Sequence, residues 1–306
     1  NIATRKGTQY TIVKKLGEGG FGAVYKVQLK DDPIKLFAMK IESCYEKSQV
    51  LKMEVQVLKL LEKTGGRHFC QISERGRNDK FNFIIMTLVD KNLSDLRKEF
   101  QEDHFGVPTA LRVGMQCLEA VEDLHNIEYL HRDLKPGNYA IGRQEINEQR
   151  KIYILDFGMC RKYRNAKGEL RTPRASANFR GTVRYAPLAC HQTREQSRKD
   201  DLESWFYMLI EITKGKLPWR HSNDRHEVGR LKAHARTVEG RRDLLSGCPA
   251  EEYEKMLEHI DEVKYWEKPD YDYIYSLLRR VMTARCVGDN DQYDWEVEEE
   301  DENKDK

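Results

Sequence analysis

Over the first ninety residues, apolar side chains recur mostly at every second position. Residues 10–16 alternate in part, residues 23–29 alternate cleanly, and residues 36–41 follow a turn expected at Pro33. A period of two is that of a strand with one buried face. One helix interrupts this pattern: across residues 49–63, Val50, Met53, Val57, Leu58 and Leu61 return at helical spacing. Residues 81–88 read as a strand again. From Asp90 onward the helical period dominates. Leu111, Met115, Leu118, Val121 and Leu124 share one face of residues 110–125. Leu202, Trp205, Phe206, Leu209 and Ile210 do so across residues 200–213, and residues 271–286 carry a third stripe. A strand-rich half followed by a helix-rich half implies an α+β fold in two lobes. The expected division is a small lobe over residues 1–87, a connection and larger lobe over 88–295, and an acidic, disordered tail over 296–306. There is no internal repeat.

Composition narrows the class. The chain has 306 residues, 39% apolar and 34% charged, with both signs interspersed and a net charge of only +2. That balance implies no nucleic-acid or membrane partner. No run approaches the roughly 20 apolar residues of a membrane span. The seven cysteines are odd in number and form no C-x-x-C pair, which argues against a disulfide framework and structural zinc. A reducing compartment, cytoplasmic or nuclear, is the expectation. No pattern requires an oligomer, so a monomer is expected. Beginning at Asn1, the chain reads as a piece of a longer one.

Residues 17–24 match G-x-G-x-x-G-x-V through Gly17, Gly19, Gly22 and Val24, with Glu18, Gly20, Phe21 and Ala23 between. The same glycine spacing marks dinucleotide-binding folds, but there a helix follows the glycines. Here a strand pattern follows. A glycine loop between antiparallel strands can lie over a triphosphate, because missing side chains let backbone N–H groups approach oxygen. An ordinary hairpin turn is the plainer alternative. Lys40 closes an apolar strand, where an unpaired ammonium is costly. Glu54, fourteen residues later on the helix, is its natural partner, and phosphate is another. Separately, Lys40 and Glu54 also fit exposed faces.

Residues 131–138 carry the strongest signal: His131, Arg132, Asp133, Leu134, Lys135, Pro136, Gly137 and Asn138 in order. Asp133 can accept a proton from a hydroxyl, Lys135 can reach a transferring phosphoryl group, and Asn138 offers an amide oxygen to Mg²⁺. Arg132 can pair with an anion on the segment downstream. A strand-like run then ends in Asp156, Phe157 and Gly158. Asp156 supplies the hard oxygen that Mg²⁺, or Mn²⁺ in its place, requires. Phe157 is expected to pack beneath the helix of Glu54.

In this order these residues resemble the protein kinase family over nearly the whole chain. The resemblance implies a bilobal protein-kinase fold, ATP and a divalent metal as cofactors, and protein substrates. Lys135 resembles the serine/threonine form of the loop. By position, Leu16, Gly17, Glu18, Gly19, Gly20, Phe21, Gly22, Val24, Ala38, Lys40, Met86, Thr87 and Val89 would surround ATP, with Met86 behind the adenine and Val89 reading its edge. Thr182 would hydrogen-bond Asp133, and Asp201 would hold the catalytic-loop backbone; a helix cap is the alternative for Asp201. Most kinases end the activation segment in Ala-Pro-Glu. Here Ala186, Pro187, Leu188 and Ala189 carry no glutamate, which resembles the casein kinase 1 superfamily. So do residues 200–204, 217–219 and 268–271. Residues 49–55, 76–82, 179–185 and 294–296 resemble its tau-tubulin kinase branch, while Pro187 and Asp90 depart from it.

From Arg161 to Arg184 there are eight basic residues and one acid, Glu169. Guanidinium groups bind carboxylate and phosphate bidentately. The resemblance implies acidic or phospho-primed substrates, cytoskeleton-associated proteins among them, with Arg180, Arg184 and Arg230 at the substrate anion site; a solvated basic loop is the alternative. It also implies activity without phosphorylation of Thr172, Ser176 or Thr182. A kinase-fold scaffold without turnover would lack Lys40, Asp133 or Asp156, and all three are present. A nicotinamide dehydrogenase would need the helix missing after Gly22.

Overall fold

A computed structural model describes residues 2–4, 7–19, 22–45 and 49–296. Gly20, Phe21 and most of the expected tail, residues 297–306, lie outside them. The chain forms two lobes. The first holds β1 (Ile2–Ala3), β2 (Gln9–Gly19), β3 (Gly22–Leu29), β4 (Asp32–Ser43), α1 (Val50–Thr64), β5 (Ile72–Arg77) and β6 (Phe81–Thr87). The strands build one antiparallel sheet in the order β1-β2-β3-β4-β6-β5.

The apolar run of β6 is explained by burial on both faces. Ile84 and Met86 point toward α1 and the space between the lobes, with Ala38, Leu51, Cys70 and Leu88. Phe83 and Ile85 point to the outer face, with Tyr10, Val27 and Met39. The β3–β4 turn falls at Lys30 and Asp31, not at Pro33. Pro33 is the exposed second residue of β4, a strand start where a missing N–H is tolerated. Gly22 has φ of 135°, and a Cβ there would come within 1.9 Å of the Ile41 carbonyl oxygen. Glycine is therefore required where β3 crosses β4.

The second lobe begins with α2 (Leu93–Leu96) and α3 (Val107–Asn126). Two short antiparallel pairs follow, β7 (Tyr129–Leu130) with β10 (Arg161–Lys162) and, between them in sequence, β8 (Tyr139–Ile141) with β9 (Ile152–Ile154). Helices α4 (Leu188–His191), α5 (Arg198–Lys214), α6 (Arg225–His234), α7 (Val238–Leu245), α8 (Ala250–Glu262) and α9 (Tyr271–Ala284) complete it. Its core is the α3–α5 pair. Trp205 donates to the Gly114 carbonyl at 2.9 Å, and a Cβ on Gly114 would approach Leu209 to 2.5 Å. The helices touch where the glycine lets them. From Arg198 to Thr213 nearly every residue of α5 is buried, acids included.

The end of the described chain is tied to the start of α3. Asp294 accepts from the Gly106 amide and the Thr109 hydroxyl, each at 2.6 Å, and Trp295 stacks on Tyr293 with rings 4.5 Å apart. Glu296, the first residue of the expected tail, instead closes a 3₁₀ turn and accepts from Arg150 at 2.7 Å. The helix-start contact should matter to stability. Asp294→Ala should cost about 1–2 kcal/mol, as loss of a helix cap does. A lower urea midpoint with unchanged slope checks this; an unchanged midpoint contradicts it.

Candidate active site

The cleft between the lobes has a volume of about 660 Å³. Its roof is the β2–β3 hairpin with Leu16, Gly17, Glu18, Gly19, Gly22 and Val24. Its back wall carries Ala38, Cys70 and Met86, its rim Thr87, Leu88 and Val89, and its floor Ala140 and Leu155. Lys40, Glu54, Asn138 and Asp156 face into it.

β4 sets the charged centre through its alternation. Lys40 and Glu42 lie two residues apart on one face, and both meet α1. The Lys40 ammonium stands 2.5 Å from Glu54 and 3.5 Å from Asp156. Glu42, 1% exposed, accepts from the Val50 and Leu51 amides at 2.6 and 3.1 Å and so fixes the start of α1. Burial pulls the Lys40 ammonium down, but the Glu54 and Asp156 carboxylates outweigh it, and its pKa is raised. Burial pushes the Asp156 carboxyl up, and Lys40, His131 and the Gly158 amide more than reverse that.

The segments flanking the short strand pairs of the second lobe present the other groups. Asp133 Oδ1 accepts from the Thr182 amide at 2.8 Å and its hydroxyl at 2.7 Å. Lys135 lies 3.0 Å from Asp133 Oδ2 and 3.1 Å from the Thr182 hydroxyl. The Asn138 side-chain amide donates to the Asp133 carbonyl at 2.8 Å, and Asn138 lines the cleft. Within these motifs Arg132 at φ 69° and Asp156 at φ 62° take left-handed backbone. Such conformations cost energy off glycine and persist where the surroundings over-determine them.

For Arg132 that support is Asp201, from α5. Its carboxylate accepts from the His131 and Arg132 amides at 2.8 and 2.9 Å and from the His125 ring at 2.9 Å. The Arg132 guanidinium is not aimed at an acid of the downstream segment; it donates to the Met159 carbonyl at 2.8 and 2.6 Å. Burial, then Arg180 and Arg161 beside it, pull its pKa down to about 10. The Phe157 ring is 1% exposed, edge-on to His131 at 5.7 Å and beneath α1.

The expected anion-binding arginines divide. Arg180 and Arg230 are exposed. Arg184 is committed elsewhere: it pairs with buried Glu211 at 3.2 Å and donates to the Arg220 carbonyl, while Tyr185 donates to the same Glu211. An uncompensated Glu211 inside the lobe would be costly, so this arginine is held by the fold.

The missing glutamate after Pro187 is replaced from another helix. Glu203 of α5 accepts from the Leu188 amide at 2.9 Å, the Tyr207 hydroxyl at 2.6 Å and Arg236 at 3.0 Å. Lys232 of α6, fully buried, donates to the Val183 and Ala186 carbonyls at 2.9 and 2.5 Å. Neither residue was singled out from sequence, nor were Glu42, Cys70, Ala140 or Leu155. Glu203 follows Asp201 by two in a helical stripe and Lys232 sits among apolar neighbours, faint signals of buried charge. Cys70 is no nucleophile, since burial pushes its thiol up to about 12.

Residues 10–287 match the protein kinase domain family. A probable serine/threonine-protein kinase of Dictyostelium discoideum is 35% identical over 95% of this chain and 57% of its own length. The serine/threonine-protein kinase spe-6 of Caenorhabditis elegans is 36% identical over 95% of this chain and 76% of its own. A probable casein kinase I homolog of Encephalitozoon cuniculi is 34% identical over 89% and 85%. The chain is a protein kinase domain and belongs, within that family, to the casein kinase I group of ATP-dependent protein serine/threonine kinases. It thus spans little more than half of the Dictyostelium relative and most of the others.

Asp201 generates a test with a pH signature. Burial pushes its carboxyl up, but the His125 hydrogen bond and the charges and amides around it hold the pKa below the ordinary value. The folded state then binds fewer protons than the unfolded one between the lowered value and about 3.9. The stabilisation is complete above about pH 4 and is lost as pH falls through the folded value. Asp201→Asn should cost about 3 kcal/mol at neutral pH, as breaking a buried charged network does. The gap to wild type should shrink below pH ~4. Urea unfolding across pH checks this; a pH-independent gap contradicts it.

Proposed function

We propose that this chain transfers the γ-phosphoryl group of ATP to serine or threonine hydroxyls in acidic or already phosphorylated protein segments. The observation that carries the reading is one cleft in which Lys40 is held between Glu54 and Asp156, with Asp133 and Lys135 fixed beside it by Thr182. The adenine would lie between Leu16, Val24 and Ala38 above and Ala140 below, with Met86 behind it and the Val89 backbone at its edge. The hairpin glycines Gly17, Gly19, Gly20 and Gly22, with Phe21 among them, would cover the phosphates, and Lys40 would hold them.

The donors fit a hard divalent ion. Among the described residues no three His, Cys, Asp or Glu groups converge, so the protein would give the Asp156 carboxylate and the Asn138 amide oxygen, and ATP the remaining oxygens. Mg²⁺ or Mn²⁺ so bound would neutralise charge on the phosphates. Asp133 Oδ1 accepts two hydrogen bonds from Thr182 and Oδ2 one from Lys135, so Oδ2 would take the substrate proton as Lys135 turns toward the γ-phosphate. The hydroxyl oxygen bonds to the γ-phosphorus as the bond to the bridging oxygen breaks, and ADP leaves. Lys135 offsets charge on the group in transit.

For the substrate's anion, Arg180 and Arg230 are the exposed candidates. Arg180 and Arg161 stand close enough to buried Arg132 to help lower its pKa, and that crowding of positive charge favours an anion beside them. Arg184 supports this surface through Glu211 rather than by binding. The tau-tubulin-like stretches, which include the anchored Asp294 and Trp295, motivate cytoskeleton-associated substrates and cytoplasmic or nuclear action by a monomer. The unit carrying the activity is one kinase domain.

Casein and radiolabelled ATP test the chemistry. Wild type should transfer label, Asp133→Asn should lower kcat by about 10²–10⁴, and a metal chelator should abolish transfer. Full activity in Asp133→Asn would contradict the proton-acceptor role. A peptide library tests the substrate class: preference for acidic or phosphorylated positions should fall about tenfold in Arg180→Ala/Arg230→Ala through KM, with kcat little changed. A preference retained in that variant would remove these arginines from recognition.

A further inference from the structure

A second cavity, of about 630 Å³, lies on the outer side of α1, between that helix and β5–β6. Leu51, Val55 and Ile84 give it an apolar floor. Its rim is basic: Lys52 and Lys59 come from α1, Arg75 and Arg77 from β5, and all four are exposed. The placement follows from periodicity. Lys52 and Lys59 are seven residues apart, two helical turns on one face. Arg75 and Arg77 alternate on a strand and stand opposite Ile84 and Asn82 in register, so both share the face that looks toward α1. Gly76 between them faces the other way, where a Cβ would meet the Phe83 ring at 2.4 Å.

None of these four cations has an ion-pair partner among the described residues. The one acid lining the cavity, Glu42, is buried and engaged with the first amides of α1. Elsewhere in the chain surface cations are commonly paired, as Arg67 is with Asp123 and Arg241 with Glu254. Charged side chains on a sheet edge also block strand pairing, and β5 is an edge. That accounts for Arg75 and Arg77, but for neither the two lysines across the groove nor the apolar floor.

We propose that this groove docks a carboxylate-rich segment of a partner protein, one bulky apolar side chain seated between Val55 and Ile84 and flanking carboxylates on the four cations. An apolar anchor ringed by complementary charge is a standard binding anatomy. Cations spread over two walls suit a run of single charges better than one phosphate. The surface is separate from Arg180 and Arg230, so this proposal does not stand or fall with the substrate reading.

The probe is a short fluorescein-labelled peptide with one phenylalanine between glutamate runs and no serine or threonine. Wild type should bind it, more weakly as salt rises. Lys52→Glu/Arg75→Glu, and independently Lys59→Glu/Arg77→Glu, should weaken binding tenfold or more, about 1.4 kcal/mol. Both should still phosphorylate a short peptide that lacks the acidic segment at the wild-type rate, which shows them folded. Arg180→Ala/Arg230→Ala should bind the probe as wild type does. Replacing the phenylalanine by alanine, or the glutamates by glutamine, should each cost at least tenfold. No binding by wild type, equal binding by the groove variants, or loss in Arg180→Ala/Arg230→Ala would overturn the proposal. So would tighter binding of a peptide whose only negative charge is a phosphoserine.

Discussion

An ammonium in an apolar strand must be compensated, and that constraint organises the site. Lys40 is one-seventh exposed, too deep to rely on water. Its charge is retained because a carboxylate from each lobe reaches it, Glu54 on α1 and Asp156 after β9. The pair therefore also acts as a gauge of lobe position. If α1 swings away, Lys40 loses its nearest counter-charge. Glu42 prevents this from the same strand by capping α1, and Phe157 fills the space beneath the helix. One short segment of β4 thus supplies both the buried cation and the clamp on its partner's helix.

A second constraint runs through α5. This helix is buried almost all round and still carries Asp201, Glu203 and Glu211. Each acid is matched to groups from other segments: Asp201 to the catalytic loop, Glu203 to the Leu188 amide and Arg236, Glu211 to Arg184 and Tyr185. Buried acids that lose a partner are expensive, so the loops they hold have few alternatives. This is how the lobe tolerates left-handed Arg132, and how the segment after Thr182 stays in place although Leu188 stands where most kinases have glutamate.

The two-lobed plan was legible because its signals are local. The alternation of residues 23–29, the stripe of 49–63 and the order of His131 through Asn138 need no tertiary knowledge. What escaped depends on packing. β5 has one apolar residue, Ile72, and is a strand because β6 pairs with it. α6 buries only Val228, Gly229 and Lys232, so it offers little stripe; α8 has a clear one in Tyr253, Met256, Leu257 and Ile260 that was not read. A count of basic residues also cannot reveal which are committed. Arg184 looks free in the sequence, and only the fold shows Glu211 behind it. Asp201 was legible because its position in a motif, rather than its surroundings, marked it.

The proposed chemistry requires Asp156 and Asn138 to converge with Lys40 around one nucleotide. A crystal structure with a non-hydrolysable ATP analogue and Mg²⁺ tests this most directly. The expected result is a metal within about 2.1 Å of oxygens from both Asp156 and Asn138, with phosphate oxygens completing its shell and Lys40 on the nucleotide. A nucleotide bound in the cleft with its metal held by neither residue would contradict the account.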